Sequence, residues 1–282
     1  MECLLRTALL LACVAALGSA AGAMLADVPG AAWGAPAGLL LGLLAWAAAG
    51  GLLLRLHGAH RVDESAAPQL VRTVHELAAR AGVEPPAVYV IDDPAPAAFA
   101  TGCMPRGAAI ALSTGLLALL SERELRAAIG HELAHIRRGD VHTVALAAAL
   151  SGALVTLALA AIAADAIGGD GDGDEGAAPP AWLSWPLLLL APLAALPLWL
   201  AAGRAREFEA DRLGAWIAGD PRSLADALYK IDRAAARRPS LRHPQTAVLM
   251  IVAPRADRGW RRWLAGHPPT LERIARLRAT VD

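Results

Sequence analysis

The chain has 282 residues, 56% of them hydrophobic and only 4% aromatic, and its 26 basic residues balance 26 acidic ones. Such an apolar, charge-balanced composition excludes a disordered polyelectrolyte, gives no general attraction to nucleic acid, and favours long apolar helices. The three cysteines (Cys3, Cys13 and Cys103) are odd in number and scattered, so they spell neither a disulfide framework nor a cysteine-based metal site.

The first elements are apolar. Thr7–Leu25 and Pro36–Leu54 are each near the ~20 residues that cross a bilayer as a helix. Arg6 and the small-residue run Gly18–Ala23 let the first stretch read equally as a cleavable signal peptide. Next, Pro68–Ala81 places Leu70, Val71, Val74, Leu77 and Ala78 on one face of a helix. Val88–Ile91 and Ala108–Leu112 read as short strands. The second either offers its edge to an extended peptide or is simply core.

Ser121 and Glu124 have capping-box spacing, and Leu125, Ala128, Ile129, Leu133 and Ile136 continue a helical apolar stripe. Inside that helix lies His131-Glu132-Leu133-Ala134-His135. Residues four apart stack on one helix face, so both imidazoles can reach one zinc ion. Glu132 is then left free to take a proton from a water. The competing reading is an amphipathic helix with two solvated or core histidines.

Two more apolar stretches follow, Val141–Ala164 and Trp182–Ala202. Trp182, Trp185 and Trp199 suit an interface, while Pro186, Pro192 and Pro197 make the last stretch the weakest span. The loop Asp165–Ala181 between them has five acids and no Lys or Arg. Its Asp-Gly alternation lacks the glycine and the final glutamate of a calcium loop, with Glu175 and Ala181 in those places, and it reads as an external linker. Basic residues flank the other ends of the stretches: Arg55 and Arg61, Arg137 and Arg138, Arg204 and Arg206. The positive-inside rule therefore places residues 57–140 and 203–282 in the cytoplasm.

A hydrolytic zinc usually has three protein ligands and one open position. Glu207 is the best third candidate, and Asp211, one helical turn on, is suited to orient a ligand histidine. An even number of crossings between His135 and Glu207 returns the chain to the side it left. The ligands can then meet, within about 10 Å of the membrane surface at 1.5 Å of rise per residue. Asp220-Pro221 starts a helix over Arg222–Arg238, and a closing helix runs through Glu272, Ile274 and Leu277. His267, before Pro268 and Pro269, reads either as a donor to a developing oxyanion or as a turn histidine.

With these parts assembled, the chain resembles the HtpX-type proteases of the M48 (Ste24-like) peptidase family. The resemblance rests on Ala98-Phe99-Ala100-Thr101-Gly102, Ser113–Leu117, His131–His135 followed by Gly139-Asp140, Arg206–Asp211, and His267–Leu277 in order. In similar proteins Asn usually precedes the first of these runs, whereas here Ala97 does. The resemblance implies His131, His135 and Glu207 as ligands of one zinc per chain, with Glu132 as general base. Asp140, Asp211 and His267 are supporting candidates. The expected fold is an α-helical integral membrane protein of about four transmembrane helices with an α+β zincin-like (gluzincin) cytoplasmic catalytic domain. Its division is 1–56 (two spans), 57–140 (catalytic part), 141–202 (membrane hairpin) and 203–282 (catalytic part). The expected partners are the lipid bilayer of the bacterial inner membrane and damaged membrane proteins or other polypeptides as substrates, in quality control under stress. The reading from another class is a zinc-binding membrane scaffold or regulator that cleaves nothing.

Overall fold

The computed structural model describes residues 2–102, 107–141, 203–237, 251 and 268–280. Beyond Val141, the third and fourth apolar stretches, their acidic loop and His267 lie outside the described residues. The chain separates into two compact units, Met1–Ala49 with Thr143–Ala201, and Gly50–His142 with Ala202–Asp282.

The helix α1 (Glu2–Leu56), whose residues up to Ala49 belong to the first unit and whose end belongs to the second, is helical along its length but doubles back on itself within the first unit. Gly22 lies against Gly30, and Gly18 against Gly34 and Gly38, so closely that a Cβ on either would enter the facing backbone. Glycines four apart let two helical arms approach without side chains between them, as in apolar helix pairs. Ser19 Oγ adds a hydrogen bond to the Ala31 carbonyl across the same seam, at 3.1 Å. Among the described residues no single helix is long and apolar enough to cross a membrane. The bent pair Val28–Leu44 and Ala47–Leu56 meets that test together.

The second unit is built on a four-stranded sheet. After β1 (His60–Val62) and α2 (Pro68–Ala81) come β2 (Ala87–Ile91), β3 (Ala98–Thr101) and β4 (Ala109–Ser113), arranged in the order β1-β2-β4-β3. The β2–β4 pair is parallel, while β1 and β3 run antiparallel to their neighbours. The strand before the zinc-type helix, β4, is therefore internal and fully buried, so of its two readings the core one holds and the edge one does not. On that side the outer strand is β3, read in the sequence only as a motif, and β1 forms the opposite edge. Its four residues are all buried, so burial pattern gives no alternation to read.

One face of the sheet, with Ile91, Phe99, Ala109 and Ala111, packs on Leu54 at the end of α1. The opposite face, with Val88, Ala98, Ala100, Ile110 and Leu112, joins the main core. There α2 contributes Val71, Val74, Leu77 and Ala78, the stripe expected from its spacing, and Gly82 ends it in the left-handed conformation (φ 68°). Ser113 closes β4 and caps the short α3 (Thr114–Leu119): its hydroxyl accepts from the Leu116 and Ala97 N–H groups and donates to the Ala95 carbonyl.

Two helices carry the functional side chains. In α4 (Glu122–Arg138), Glu124 reaches back to accept from the Ser121 N–H at 2.8 Å, and Gly139 ends the helix. In α5 (Arg204–Ala218), Gly214 packs on α4 at Gly130 and His131. A Cβ at Gly214 would lie 2.6 Å from His131 Cα, and one at Gly130 would lie 2.7 Å from the Gly214 carbonyl oxygen. Only glycine permits that crossing. The core is completed by α6 (Pro221–Arg237), started by an Asp220 carboxylate that accepts from the Ser223 N–H, and α7 (Thr270–Ala279).

Replacing Gly214 by Ala should force α4 and α5 apart. The expected loss is ~1–3 kcal/mol of stability, as for other overpacked contacts, together with a fall in bound metal. Thermal unfolding with metal analysis of the purified chain checks both.

Candidate metal centre

The α4–α5 crossing sets the distances at the site. His131 and His135 sit one turn apart on α4, with their Nε2 atoms 3.1 Å from each other. From α5, Glu207 brings Oε1 to 3.6 Å from His135 Nε2 and Oε2 to 3.9 Å from His131 Nε2. These three residues can each offer one ligand atom within 4.8 Å of the others. A tetrahedral zinc with bonds of 2.0–2.1 Å separates its ligand atoms by about 3.3 Å. The donor set and its spacing therefore fit that ion.

The far side of each imidazole supports the same fit. His131 Nδ1 lies 3.0 Å from Asp211 Oδ1, close though off the line of an ideal hydrogen bond. His135 Nδ1 lies 3.3 Å from Asp140 Oδ2. Carboxylates at both Nδ1 positions favour protons there and leave both Nε2 atoms as acceptors. Two imidazole lone pairs and a carboxylate then converge on one point, an arrangement that a cation relieves.

Guanidinium groups hold the carboxylates in turn. Arg273 on α7 grips Asp211 with both ends of its fork, Nε to Oδ2 at 2.8 Å and Nη2 to Oδ1 at 2.7 Å. It also donates to the Ile251 carbonyl at 2.7 Å and approaches Glu207 Oε2 to 3.4 Å. Arg138 Nε lies 3.1 Å from Asp140 Oδ2, and Arg206 Nη1 lies 3.6 Å from its Oδ1. Both candidate ligand histidines thus end in an Asp–Arg pair.

Burial and charge set the protonation states. Burial pushes the His131 imidazole below its ordinary range, outweighing the Asp211 carboxylate. At His135 burial works the same way but loses to Asp140 and to the charges of Glu207 and Glu132, which push it up to about 9. Burial opposes ionisation of Asp211, yet the Arg273 charge and hydrogen bonds hold it down to about 2.

The structure buries His131, Glu132, Asp140, Glu207 and Asp211 and leaves His135 beside them partly exposed. Glu209, two residues beyond Glu207, is half exposed and pairs with Arg212 at 3.0 Å. Arg273 and Arg206 were not anticipated from the sequence. A signal was present for the first: Arg273 shares a helix face with Ile274 and Leu277, so a charge sits on the core stripe of α7.

A histidine pair and a carboxylate gathered at a helix crossing beside a mixed sheet are the parts of a metallohydrolase. Comparison with known proteins makes the class specific. The model of peptidase family M48 matches residues 64–281. The chain is 43% identical over 281 residues to a "Protease HtpX homolog" of Methylibium petroleiphilum, covering 99% of this chain and 98% of that protein. It is 42% identical over 275 residues to one of Burkholderia ambifaria, covering 96% and 95%. Among solved structures, Ste24p of S. mikatae superposes with a TM-score of 0.52 at 19% identity, over 84% of this chain and 56% of that one. The chain belongs to peptidase family M48 and is a membrane-associated metalloprotease.

Replacing Glu207 by Ala should leave less than one zinc per chain after dialysis. Replacing Asp140 by Asn should keep the ion but weaken its hold by about 10–100-fold, as loss of a ligand's hydrogen-bond partner does. Metal analysis and chelator competition distinguish the two effects.

Proposed function

We propose that this protein is a zinc-dependent endopeptidase of the bacterial inner membrane, cleaving damaged or misassembled membrane proteins from the cytoplasmic side. The observation that carries the reading is the convergence of His131 Nε2, His135 Nε2 and a Glu207 carboxylate oxygen on one point. In this reading those three side chains hold one zinc, which supplies Lewis acidity toward a water and a peptide carbonyl. Asp211 and Asp140 orient the two imidazoles through Nδ1, and Arg273, Arg138 and Arg206 keep those carboxylates ionised and in place.

Glu132 is the general base. It follows His131 on α4 and is 2% exposed, so its carboxylate lies inside the cluster rather than in solvent. It accepts a proton from the water as that water attacks the scissile carbonyl, then returns it to the departing amine nitrogen. The buried surroundings limit competing water and strengthen each charge interaction. The cytoplasmic placement rests on the basic residues beside the apolar stretches, above all Arg55, Arg61, Arg137 and Arg138. The quality-control role rests on the kinship with the HtpX homologues.

Replacing Glu132 by Gln should leave one zinc bound per chain while peptide hydrolysis falls by about 10²–10⁴-fold, the usual share of a general base. Hydrolysis retained by a chelator-sensitive, contaminant-free preparation would remove Glu132 from that role.

A further inference from the structure

A cleft of about 860 Å³ opens in the catalytic unit, apart from the metal centre. One wall is apolar and comes from the loop before β3 and from α3, with Pro94, Pro96, Gly115 and Leu119. The other is a single face of α6, where Tyr229, Lys230, Arg233 and Arg237 recur at helical spacing. Among the described residues the lining thus contains three cations and no carboxylate.

The partners of these cations leave the cleft positive. Lys230 is neutralised by Glu124 at 2.7 Å. Arg233 is held over the Tyr229 ring and donates to its hydroxyl at 2.8 Å, which fixes the guanidinium without cancelling its charge. The structure gives Arg237 no ion pair among the described residues, although it stands in the last turn of α6. Of the acids beside the lining, Asp92 meets Thr114 at 3.5 Å, the buried Asp93 carboxylate accepts from the Ala95 N–H at 2.8 Å, and Asp232 accepts from Thr270 at 3.2 Å. Two uncompensated guanidiniums over an apolar floor match a ligand with carboxylates on an otherwise apolar or neutral chain.

Its distance from the metal centre suggests which ligand. Lys230 is tied to Glu124 in the first turn of α4, and His131 lies two turns further along the same helix, about 10 Å by helical rise. An extended peptide covers that in about three residues at ~3.3 Å each, and Arg233, about 5 Å of helical rise from Lys230 along α6, adds up to two more. We infer that the α6–α3 cleft is a substrate subsite for acidic side chains, about three to five residues from the scissile bond. The inference rests on the endopeptidase reading above and adds a substrate class to it: polypeptide segments carrying Asp or Glu at that remove from the cut.

The test uses the full-length, detergent-solubilised enzyme and matched quenched peptides, with Glu or Gln placed at each position to either side of the cut. The wild type should prefer Glu at one or two positions by about fivefold to tenfold, the scale of one or two exposed charge pairs. The preference should reside in KM and fade in high salt. In Arg233→Gln and Arg237→Gln it should drop toward one; Arg237 is exposed, so that variant carries little risk of misfolding. Anisotropy of dye-labelled peptides on the zinc-loaded Glu132→Gln enzyme reads the same preference without turnover. If binding there favours acidic peptides while the wild type cleaves none, the subsite stands and the catalytic reading fails. Equal affinity for Glu and Gln peptides overturns the subsite. So does a preference untouched by both arginine variants, or variants that lose only their binding to phosphatidylglycerol vesicles.

Discussion

Two glycines set how closely α4 and α5 can approach, and the metal centre exists at that separation. Gly214 backs directly onto the His131 backbone, and Gly130 onto the Gly214 carbonyl. With side chains there, the helices would stand apart by roughly a methyl group or more, and the Glu207 carboxylate would leave the imidazoles of His131 and His135. Metal-ligand geometry tolerates only about 0.2 Å of error. A contact made entirely of backbone therefore controls how three side chains from two distant segments meet.

Assembling the centre puts many charges in one buried region. Glu132, Glu207, Asp140 and Asp211 contribute four carboxylates, and Arg138, Arg206 and Arg273 three guanidiniums. Buried charges are costly unless paired, and the pairing here is ordered. Each arginine meets an aspartate rather than standing alone beside a histidine. Arg138 and Arg206 share Asp140, while Arg273 spans Asp211 and Glu207. Arg273 has a further consequence for the fold: it ties α7 to α5 through Asp211 and to the β3 edge through Ile251, whose N–H donates to the Ala98 carbonyl at 3.1 Å.

Much of this was legible in the sequence because it is local. The two histidines of α4, the Glu124 cap, the Glu207–Asp211 pair and the apolar stripe of α2 all follow from helical periodicity within one segment. The missing parts depend on contacts between segments. No local pattern says that β4 is flanked by β3, or that Ala98–Thr101, with both faces buried, is a strand at all. Likewise the arginine partners of Asp140 and Asp211 come from other turns and helices, and glycines at positions 130 and 214 look in the sequence like weak points in two helices. Their role appears only when the helices cross.

The direct test is the X-ray absorption spectrum of zinc in the purified, full-length protein. Two imidazole ligands with the remaining scatterers oxygen, at about 2.0–2.1 Å, and the loss of this pattern when Glu207 is replaced by Ala, is the predicted result. A sulfur shell at about 2.3 Å, or a spectrum that the Glu207 replacement leaves unchanged, would contradict the three-residue grip on the metal.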